Sequence, residues 1–344
     1  MRSSKYARNA ITYDACIVQG NALFHEYRDY VILTRLDVRA KCNEGVLNVT
    51  ARATEIPQTP QVSRRTFLGA AASLAALAAT AQPETKETYE TQAKGIRILP
   101  GHWRPHYPWE HIAWISPSWP SQDYLWFDFP EAIFSSQGLL FLSHINPPIP
   151  TVYASLPAVP WDVQADGISF ERVLPSGISF GGSLKKSAET VVDLELHIDN
   201  GSKEPLNDIE LQTCAFLRGI KEFGDYTREN KIIHTPEQGW ISMEAARALP
   251  QGGTQPYRVG WRSRGNPVSD VPMIITQSNA GDRFFALTWR ESTLSMVSNP
   301  NHPCAHADPK FPDLSPGARA SIAGKLVFFE GKLADFDYGK YIGG

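Results

Sequence analysis

The sequence predicts an all-β protein in which two antiparallel sheets stack as a β-sandwich, with long loops rich in Trp and Pro and one short helix. Short segments with strand character recur at spacings of roughly 8 to 15 residues, which is typical of such sandwiches. All 9 Trp and 24 of the 26 Pro follow residue 81, so the same part of the chain must also contain long ordered loops. Helix signals are confined to residues 242–249, with Ser242 as N-cap, an Ala-rich body and a stop at Pro250.

The clearest strand lies at residues 190–199. The apolar residues at alternate positions from Val192 to Ile198 face one side, and the acidic and His residues between them face the other. This pattern predicts a half-buried strand. The turn dipeptide Asn200-Gly201 follows and residues 209–217 again have strand character, so we expect the two strands to pair as a hairpin.

Other strand candidates share runs of β-branched, aromatic and aliphatic residues: 125–129, 138–145, 167–174, 177–180, 271–276, 283–289 and 320–329. The turn pair Pro175-Ser176 predicts a second hairpin between two of them. Residues 101–120 differ, because they contain four Pro that forbid a helix and a central strand. We expect this segment to be an extended loop laid over the sandwich.

The strand, Asn-Gly turn and strand of residues 190–217 resemble a stretch of the galactose-mutarotase-like sandwiches found in many sugar-processing enzymes. The resemblance implies a supersandwich of this kind over residues 95–344, as a single domain. Those epimerases keep a His soon after the second of these strands and a catalytic acid late in the chain. Here Cys214 stands in that strand, so the resemblance bears on the fold and transfers no catalytic residue.

An export signal precedes the predicted sandwich. Ser63-Arg64-Arg65-Thr66-Phe67-Leu68 resembles the core of a twin-arginine signal, and an Ala-rich apolar run follows it to Ala79. Ala79-Thr80-Ala81 provides the small residues that a signal peptidase requires. The resemblance implies a signal peptide at 63–81, partnership with the Tat translocase and signal peptidase, and a periplasmic or secreted protein that begins near Gln82.

Two further segments flank this signal. Residues 1–62 are longer than an ordinary leader, so we expect either a mis-annotated start or an extended leader. Residues 82–94 are polar and charged, which predicts a flexible linker.

Composition limits the partners of the exported part. Residues 1–81 hold 10 of the 33 basic and 6 of the 36 acidic residues, which leaves 23 and 30 and a net charge of −7. This acidic balance argues against nucleic acid and anionic membranes as partners. No later segment is apolar and long enough to span a bilayer, so we expect no membrane anchor in the mature form.

Cys214 and Cys304 are the two cysteines of the exported part. An oxidising destination allows a disulfide between them, whereas two buried thiols are the more ordinary arrangement. Proteins with twin-arginine signals resemble one another in being exported folded, sometimes with a cofactor inside, which leaves a divalent metal open.

Aromatic residues of the 101–120 segment are candidates for substrate binding, because indole rings stack on the apolar faces of sugars: Trp103, Trp109, Trp114 and Trp119. The alternative is that any one of them belongs to the core. Asp128, Glu131 and His144 follow, and two carboxylates with an imidazole suffice for acid–base chemistry on a glycoside.

A second candidate segment lies at residues 299–309. His302, Cys304, His306 and Asp308 occupy alternate positions, which share one face if the backbone is extended. Imidazoles and a carboxylate could act in catalysis, and His302, His306 and Asp308 could hold a divalent metal. The alternative is a structural loop whose polar side chains satisfy its own backbone.

Arg262 could bind a uronic acid or sulfate through its two-pronged guanidinium. Together these residues predict an exported carbohydrate-active protein, of an epimerase, lyase or hydrolase type if it is an enzyme, with its ligand between the 101–120 and 299–309 segments. Two alternatives remain open. One is a non-catalytic module that binds polysaccharide or protein, and the other is a metal-dependent enzyme centred on His302, His306 and Asp308.

Overall fold

The structure is a computed structural model that describes residues 36–43, 46–53, 93–104, 106–144, 150–224, 227–250, 253–260, 265–298 and 303–343. The chain divides into two compact units, Met1–Thr85 and Lys86–Gly344. In the first unit, β1 (Leu36–Asn43) and β2 (Val46–Ala53) pair as an antiparallel hairpin. The predicted signal peptide at 63–81 and all but the last two residues of the predicted linker at 82–94 lie outside the described residues.

The second unit consists mainly of strands. They are β3 (Ile98–Gly101), β4 (Ile112–Ile115), β5 (Leu125–Ser135), β6 (Gly138–Leu142), β7 (Asp162–Val163), β8 (Gly167–Val173), β9 (Ser179–Ala188), β10 (Val191–Asp199), β11 (Glu210–Phe216), β12 (Lys231–Thr235), β13 (Gly239–Ser242), β14 (Tyr257–Val259), β15 (Asn266–Ser269), β16 (Met273–Gln277), β17 (Arg283–Thr288), β18 (Thr293–Val297), β19 (Cys304–Pro309) and β20 (Arg319–Glu330). Two short α-helices accompany them in the described part of the chain, α1 (Met243–Arg247) and α2 (Gly339–Ile342).

These strands form two sheets. The first has the order β13-β12-β16-β17-β20-β10-β9-β8-β7, and the second has the order β15-β14-β18-β19-β11-β5-β4-β3 with β6 beside β5. Pairing is antiparallel except between β14 and β18, which run parallel among the described strands. The all-β, two-sheet architecture predicted from the sequence is therefore confirmed.

The main core lies between the two sheets. Leu194 and Leu196 of β10 belong to it together with Phe127 and Phe129 of β5 and Trp289, all of them buried. The alternation predicted for residues 190–199 is confirmed, because the apolar positions point into this core and the intervening polar residues point outward. Burial of these large side chains supplies the main driving force for stacking the sheets.

Two predictions made from short-range sequence patterns, a hairpin and a helix, are confirmed. β8 and β9 form the predicted hairpin across Pro175-Ser176. The predicted helix is α1, in which the Ser242 hydroxyl accepts a hydrogen bond from the Ala245 backbone amide at 3.1 Å. This bond satisfies one of the free amide groups at the helix start.

The predicted hairpin between β10 and β11 is wrong. β10 is flanked by β9 and β20, whereas β11 crosses to the other sheet and pairs with β5 and β19. The Asn200 side chain is buried and donates to the carbonyl oxygens of Glu204 and Leu314, both at 2.9 Å. It thereby fixes a crossover between the sheets instead of a tight reversal.

The prediction that residues 101–120 form one extended loop is also wrong in part. β4 lies within this segment, between β3 and β5. No Pro occurs between Pro108 and Pro117, so the backbone amides of β4 are available for pairing on both sides. Pro100 occupies β3, which is the edge strand of the sheet, where a missing amide donor is tolerated.

A smaller apolar cluster covers the outer face of the first sheet. Met273, Ile275 and Phe284 are buried there beneath the C-terminal segment that includes Phe336. Within the residues that the structure describes, we find no helix whose length and apolarity would let it span a membrane.

Candidate functional site

The candidate site lies on the face of the second sheet that points away from the main core. In β19, Ala305 and Ala307 belong to the core, so Cys304, His306 and Asp308 project from the opposite face. The sequence pattern predicted this shared face under the condition of an extended backbone, and β19 meets that condition.

Strand register brings further side chains to this face. One row across the sheet runs Trp114, Trp126, Phe216 and Cys304, on β4, β5, β11 and β19. In the next row Asp128 of β5 is the register partner of Cys214 of β11. The two rows place aromatic rings directly beside acids and thiols.

Glu131 lies between two imidazoles. Its Oε1 is 3.8 Å from His144 Nε2, and its Oε2 is 3.8 Å from His306 Nδ1. His306 Nδ1 also lies 3.4 Å from Asp308 Oδ1, which accepts a hydrogen bond from the Thr213 backbone amide at 3.3 Å. The predicted residues Glu131, His144, His306 and Asp308 are therefore brought together.

Burial and mutual charge perturb these groups. The pKa of Glu131 is raised to about 7, chiefly by desolvation; His306 opposes the shift, and the nearby acids Asp128 and Asp308 add to it. Desolvation likewise raises the pKa of Asp308, against the effect of His306. For His306 burial lowers the pKa, but the acidic neighbours Cys304 and Asp308 outweigh it and hold the pKa well above its ordinary value.

Arg104 is an ion-pair partner that the sequence analysis missed. Its guanidinium donates to Asp128 Oδ1 at 3.1 Å, to Asp128 Oδ2 at 3.0 Å and to Glu110 Oε2 at 2.9 Å. Burial alone would lower the pKa of Arg104, yet Asp128 and Glu110 together raise it. Asp128 thus receives a two-pronged contact from Arg104, which favours a binding or structural role for it over proton transfer.

Glu110 orders the loop that carries Arg104. Its Oε1 accepts from the backbone amides of Trp103 at 2.6 Å and Arg104 at 2.8 Å, and lies 3.0 Å from His102 Nδ1. A buried carboxylate that receives several hydrogen bonds is a fixed anchor. Residues 102–104 are consequently pinned against the site face.

Three aromatic rings form a platform beside these charges. The Trp103 ring lies 4.7 Å from Trp126 and 5.3 Å from Phe216 between centroids, and Trp126 stacks on Phe216 at 5.1 Å and 9°. Arg104 lies over the Trp103 ring at 4.4 Å. Trp103 is 38% exposed, so part of its ring is available to a ligand.

The other Trp candidates differ in position. Trp119 is fully buried against Phe223 and Phe328, so its proposed role in substrate binding is wrong. Trp109 is also wrong as a stacking surface, because it is buried and its Nε1 donates to the Leu142 carbonyl at 2.9 Å. Trp114 is half-buried in the same row as Trp126, which keeps it at the site.

Two predicted site residues, His302 and Arg262, lie outside the described residues.

The thiols of Cys214 and Cys304 are buried, and in the part of the chain that the structure describes no disulfide joins them. The hydrogen bond to Cys304, together with burial, raises the pKa of Cys214 well above its ordinary value. Cys214 was not among the predicted site residues, because only strand pairing shows that it faces Asp128.

The fold and site define a two-sheet β-sandwich with a cluster of acids, imidazoles and thiols beside aromatic rings. Among solved structures, the chain is similar to a galactose mutarotase related enzyme from Lactobacillus acidophilus, with 8% identity, TM-score 0.36 and coverage of 69% of this chain and 98% of the other. It is also similar to the GalM/aldose epimerase homologue from C. elegans, with 9% identity, TM-score 0.30 and coverage of 70% and 100%. At TM-scores below 0.5 these similarities say nothing about the site residues. No protein-family model matches the chain, and no curated protein matches it significantly.

Proposed function

We propose that this protein is an exported carbohydrate-active protein that binds a sugar on the Trp103 platform and exchanges protons with it through Glu131 and His144. The observation that carries the proposal is the partly exposed Trp103 ring, in tilted contact with Trp126 and Phe216, beside the ion-paired acids of the same face. Apolar ring faces and hydroxyl-binding groups side by side are the chemistry that a pyranose requires.

The acid–base part of the proposal depends on Glu131. Its carboxylate contacts two imidazoles, and His144 is the more exposed of them, with 25% of its side chain accessible against 5% for His306. A carboxylate and an imidazole at this separation can move a proton to and from a sugar hydroxyl or ring oxygen. Asp128, held by Arg104, would fix the sugar or the loop.

The binding test uses the chain from Gln82 onward and a panel of neutral and acidic mono- and oligosaccharides, followed by calorimetry. Stacking on Trp103 that buries roughly 60 Å² of ring surface contributes about 1.5 kcal/mol, so Trp103→Ala should weaken binding about tenfold. Trp240→Ala is the matched control, since Trp240 is a half-buried Trp of the first sheet that packs on His234. Equal affinity in the Trp103→Ala and Trp240→Ala variants would remove the platform from the proposal.

The catalytic test follows mutarotation, elimination and hydrolysis of whichever sugar binds. Glu131→Gln should lower kcat at least a hundredfold, because general acid–base catalysis contributes about that factor. Glu171→Gln is its control: Glu171 Oε2 lies 2.6 Å from His197 Nε2 in a carboxylate–imidazole pair of the first sheet. Binding without turnover in the unsubstituted protein would favour a non-catalytic carbohydrate-binding module.

Export is the remaining part of the proposal and is supported by the sequence from Ser63 to Ala81. Replacement of Arg64 and Arg65 by Lys should retain the protein in the cytoplasm, because it removes both guanidinium groups of the motif on which the assignment depends. N-terminal sequencing of the exported protein should begin near Gln82. A mature chain that begins well before Gln82 contradicts the assigned cleavage site.

A further inference from the structure

Five side chains with metal-ligand donor atoms converge beside the candidate sugar platform. One ligand atom from each of Cys214, Cys304 and His306 lies within 4.8 Å of the others, and all three residues are buried. Ligand atoms of Asp128 and Glu131 lie within 4.8 Å of Cys214 in the same way. The two groups share Cys214, so the five donor side chains form one contiguous cluster.

This cluster and the adjacent Asp308 contain buried polar atoms to which the protein provides no hydrogen-bond partner. Among the described residues, His306 Nε2 and Asp308 Oδ2 have no hydrogen-bond partner, although His306 is 4% and Asp308 2% exposed. Leaving a buried polar group unsatisfied costs about 1–3 kcal/mol, and the great majority of such groups in folded proteins have a partner. Two unsatisfied atoms on neighbouring side chains, His306 Nε2 and Asp308 Oδ2, therefore point to a missing ligand at this place.

We propose that Cys214, Cys304 and His306 bind a thiolate-preferring divalent transition ion of the Zn²⁺ class. Two thiolates and an imidazole are the donors that such ions favour over Mg²⁺ or Ca²⁺. A tetrahedral ion with metal–sulfur bonds of about 2.3 Å holds its ligand atoms about 3.8 Å apart. The three ligand atoms lie within 4.8 Å of one another, so small side-chain rotations would bring them to this separation. The ligand set differs from His302, His306 and Asp308, because Cys214 arrives from the neighbouring strand.

The surrounding residues fit the same assignment. Asp308 Oδ1 lies 3.4 Å from His306 Nδ1, which is the arrangement in which a carboxylate orients a metal-binding imidazole and leaves Nε2 for the ion. Both Asp128 oxygens are bonded to Arg104, so Asp128 is not available as a ligand, and the fourth position would be open to water. The ion would neutralise the thiolates and satisfy one His306 nitrogen.

The three proposed ligands lie on two adjacent strands, which fixes the geometry of the site. Cys304 and His306 are two residues apart on β19 and therefore on one face, and Cys214 lies on the adjacent strand β11. Three ligands on two hydrogen-bonded strands keep their separation without help from a loop. The assignment does not rest on the proposed carbohydrate function, since it requires only these contacts.

The first experiment measures metal content in the untagged full chain, purified without chelator from cells grown with added Zn²⁺. We expect about one zinc per chain, release of the ion by a strong chelator, and at least tenfold faster alkylation of Cys214 and Cys304 afterwards. Co²⁺ added to the metal-free protein should produce a thiolate-to-metal charge-transfer absorption. Alkylation that is equally fast before and after chelator treatment, or a metal-free protein that binds neither ion, overturns the proposal.

Variants locate the ion independently of activity. Cys304→Ser and His306→Gln should each lower the zinc content and abolish the Co²⁺ absorption, whereas His234→Gln should leave both unchanged. His234 is a suitable control because its imidazole is paired with Asp270 at 2.7 Å on the first sheet. Circular dichroism of each variant accompanies the metal measurement, so that loss of the ion is distinguished from loss of the fold.

The outcomes separate clearly. Zinc that persists in folded Cys304→Ser and His306→Gln places the ion elsewhere and overturns the proposal, as does a Cys214–Cys304 disulfide in the isolated protein detected by mass spectrometry. If the ligand variants are unfolded, recovery of the unsubstituted protein's thermal stability on adding Zn²⁺ after chelation supports the site, and no recovery counts against it. Failure of every sugar to bind leaves these measurements unaffected, so the two proposals are tested separately.

Discussion

Lys231 provides a quantitative test of how tightly the sandwich is packed. It lies at the start of β12, is 1% exposed, and its Nζ donates to Asn230 Oδ1 at 2.7 Å. Burial lowers the pKa of Lys231 from an ordinary 10.5 to about 7, against a weaker opposing effect of Cys304. Folding therefore requires this ammonium to be desolvated or to lose its proton.

The sign of the pH dependence follows from proton binding. Between pH 7 and 10.5 the unfolded chain keeps the proton and the folded chain releases it, so the unfolded state binds more protons and the free energy of unfolding rises with pH. The pKa shift from 10.5 to about 7 corresponds to a rise of about 4 kcal/mol over this range. At lower pH Lys231 is protonated in both states, so the stability lost by burying its charge is constant.

The perturbation is Lys231→Met, which keeps most of the side-chain volume and removes the charge. We expect the variant to be about 3 kcal/mol more stable at pH 7, after the loss of one hydrogen bond worth about 1 kcal/mol, and to be level with the unsubstituted protein near pH 10. Urea unfolding at steps between pH 7 and pH 10 measures the free energy of unfolding of the variant and of the unsubstituted protein. Lys185→Met is the control, because Lys185 is 62% exposed. A stability difference between Lys231→Met and the unsubstituted protein that does not change with pH would refute the argument.

Three further outcomes test the packing elsewhere. Burial, and then a neighbouring guanidinium, lowers the pKa of His111 to about 3, so stability should fall by about 4 kcal/mol more in the unsubstituted protein than in His111→Gln as the pH drops from 6.5 to 3, measured by urea unfolding. Trp119→Ala should cost about 3–5 kcal/mol in the same assay, since the side chain is fully buried; a loss below about 1 kcal/mol would contradict its place in the core. A Cβ at Gly181 would lie 2.5 Å from both Glu171 Oε2 and the Phe170 carbonyl oxygen and 2.6 Å from His197 Cε1. Gly181→Ala should therefore cost about 1–3 kcal/mol, and an unchanged urea midpoint would contradict this crowding.

The sequence predicts those parts of this fold whose cause lies within a few residues. The alternation around Leu194 and the N-cap at Ser242 are local patterns, and both correspond to the observed elements. The pairing of β11 is not local, because its partners β5 and β19 lie about 80 to 90 residues away along the chain on either side. An Asn-Gly turn after β10 therefore gave the wrong neighbour for β11.

The same distinction applies to the site. The alternate positions Cys304, His306 and Asp308 were visible in the sequence as one face, because they belong to one strand. Cys214 and Arg104 were missed, since their relation to Asp128 arises from strand register and from a contact across 24 residues. Trp composition likewise cannot distinguish Trp119 in the core from Trp103 at the surface, as both are indoles in one Pro-rich segment.

The two proposals meet in the chemistry of the thiols. An exported protein enters an oxidising compartment, where neighbouring thiols such as Cys214 and Cys304 tend to form a disulfide. A bound ion keeps both as thiolates, because a coordinated sulfur is a poorer nucleophile than a free thiolate. Export in the folded state would allow the ion to be inserted in the cytoplasm, before the thiols meet an oxidant. If so, protein whose Arg64 and Arg65 are replaced by Lys and which stays in the cytoplasm should contain the same one zinc per chain as the exported protein, and an empty cytoplasmic form would contradict this order of events.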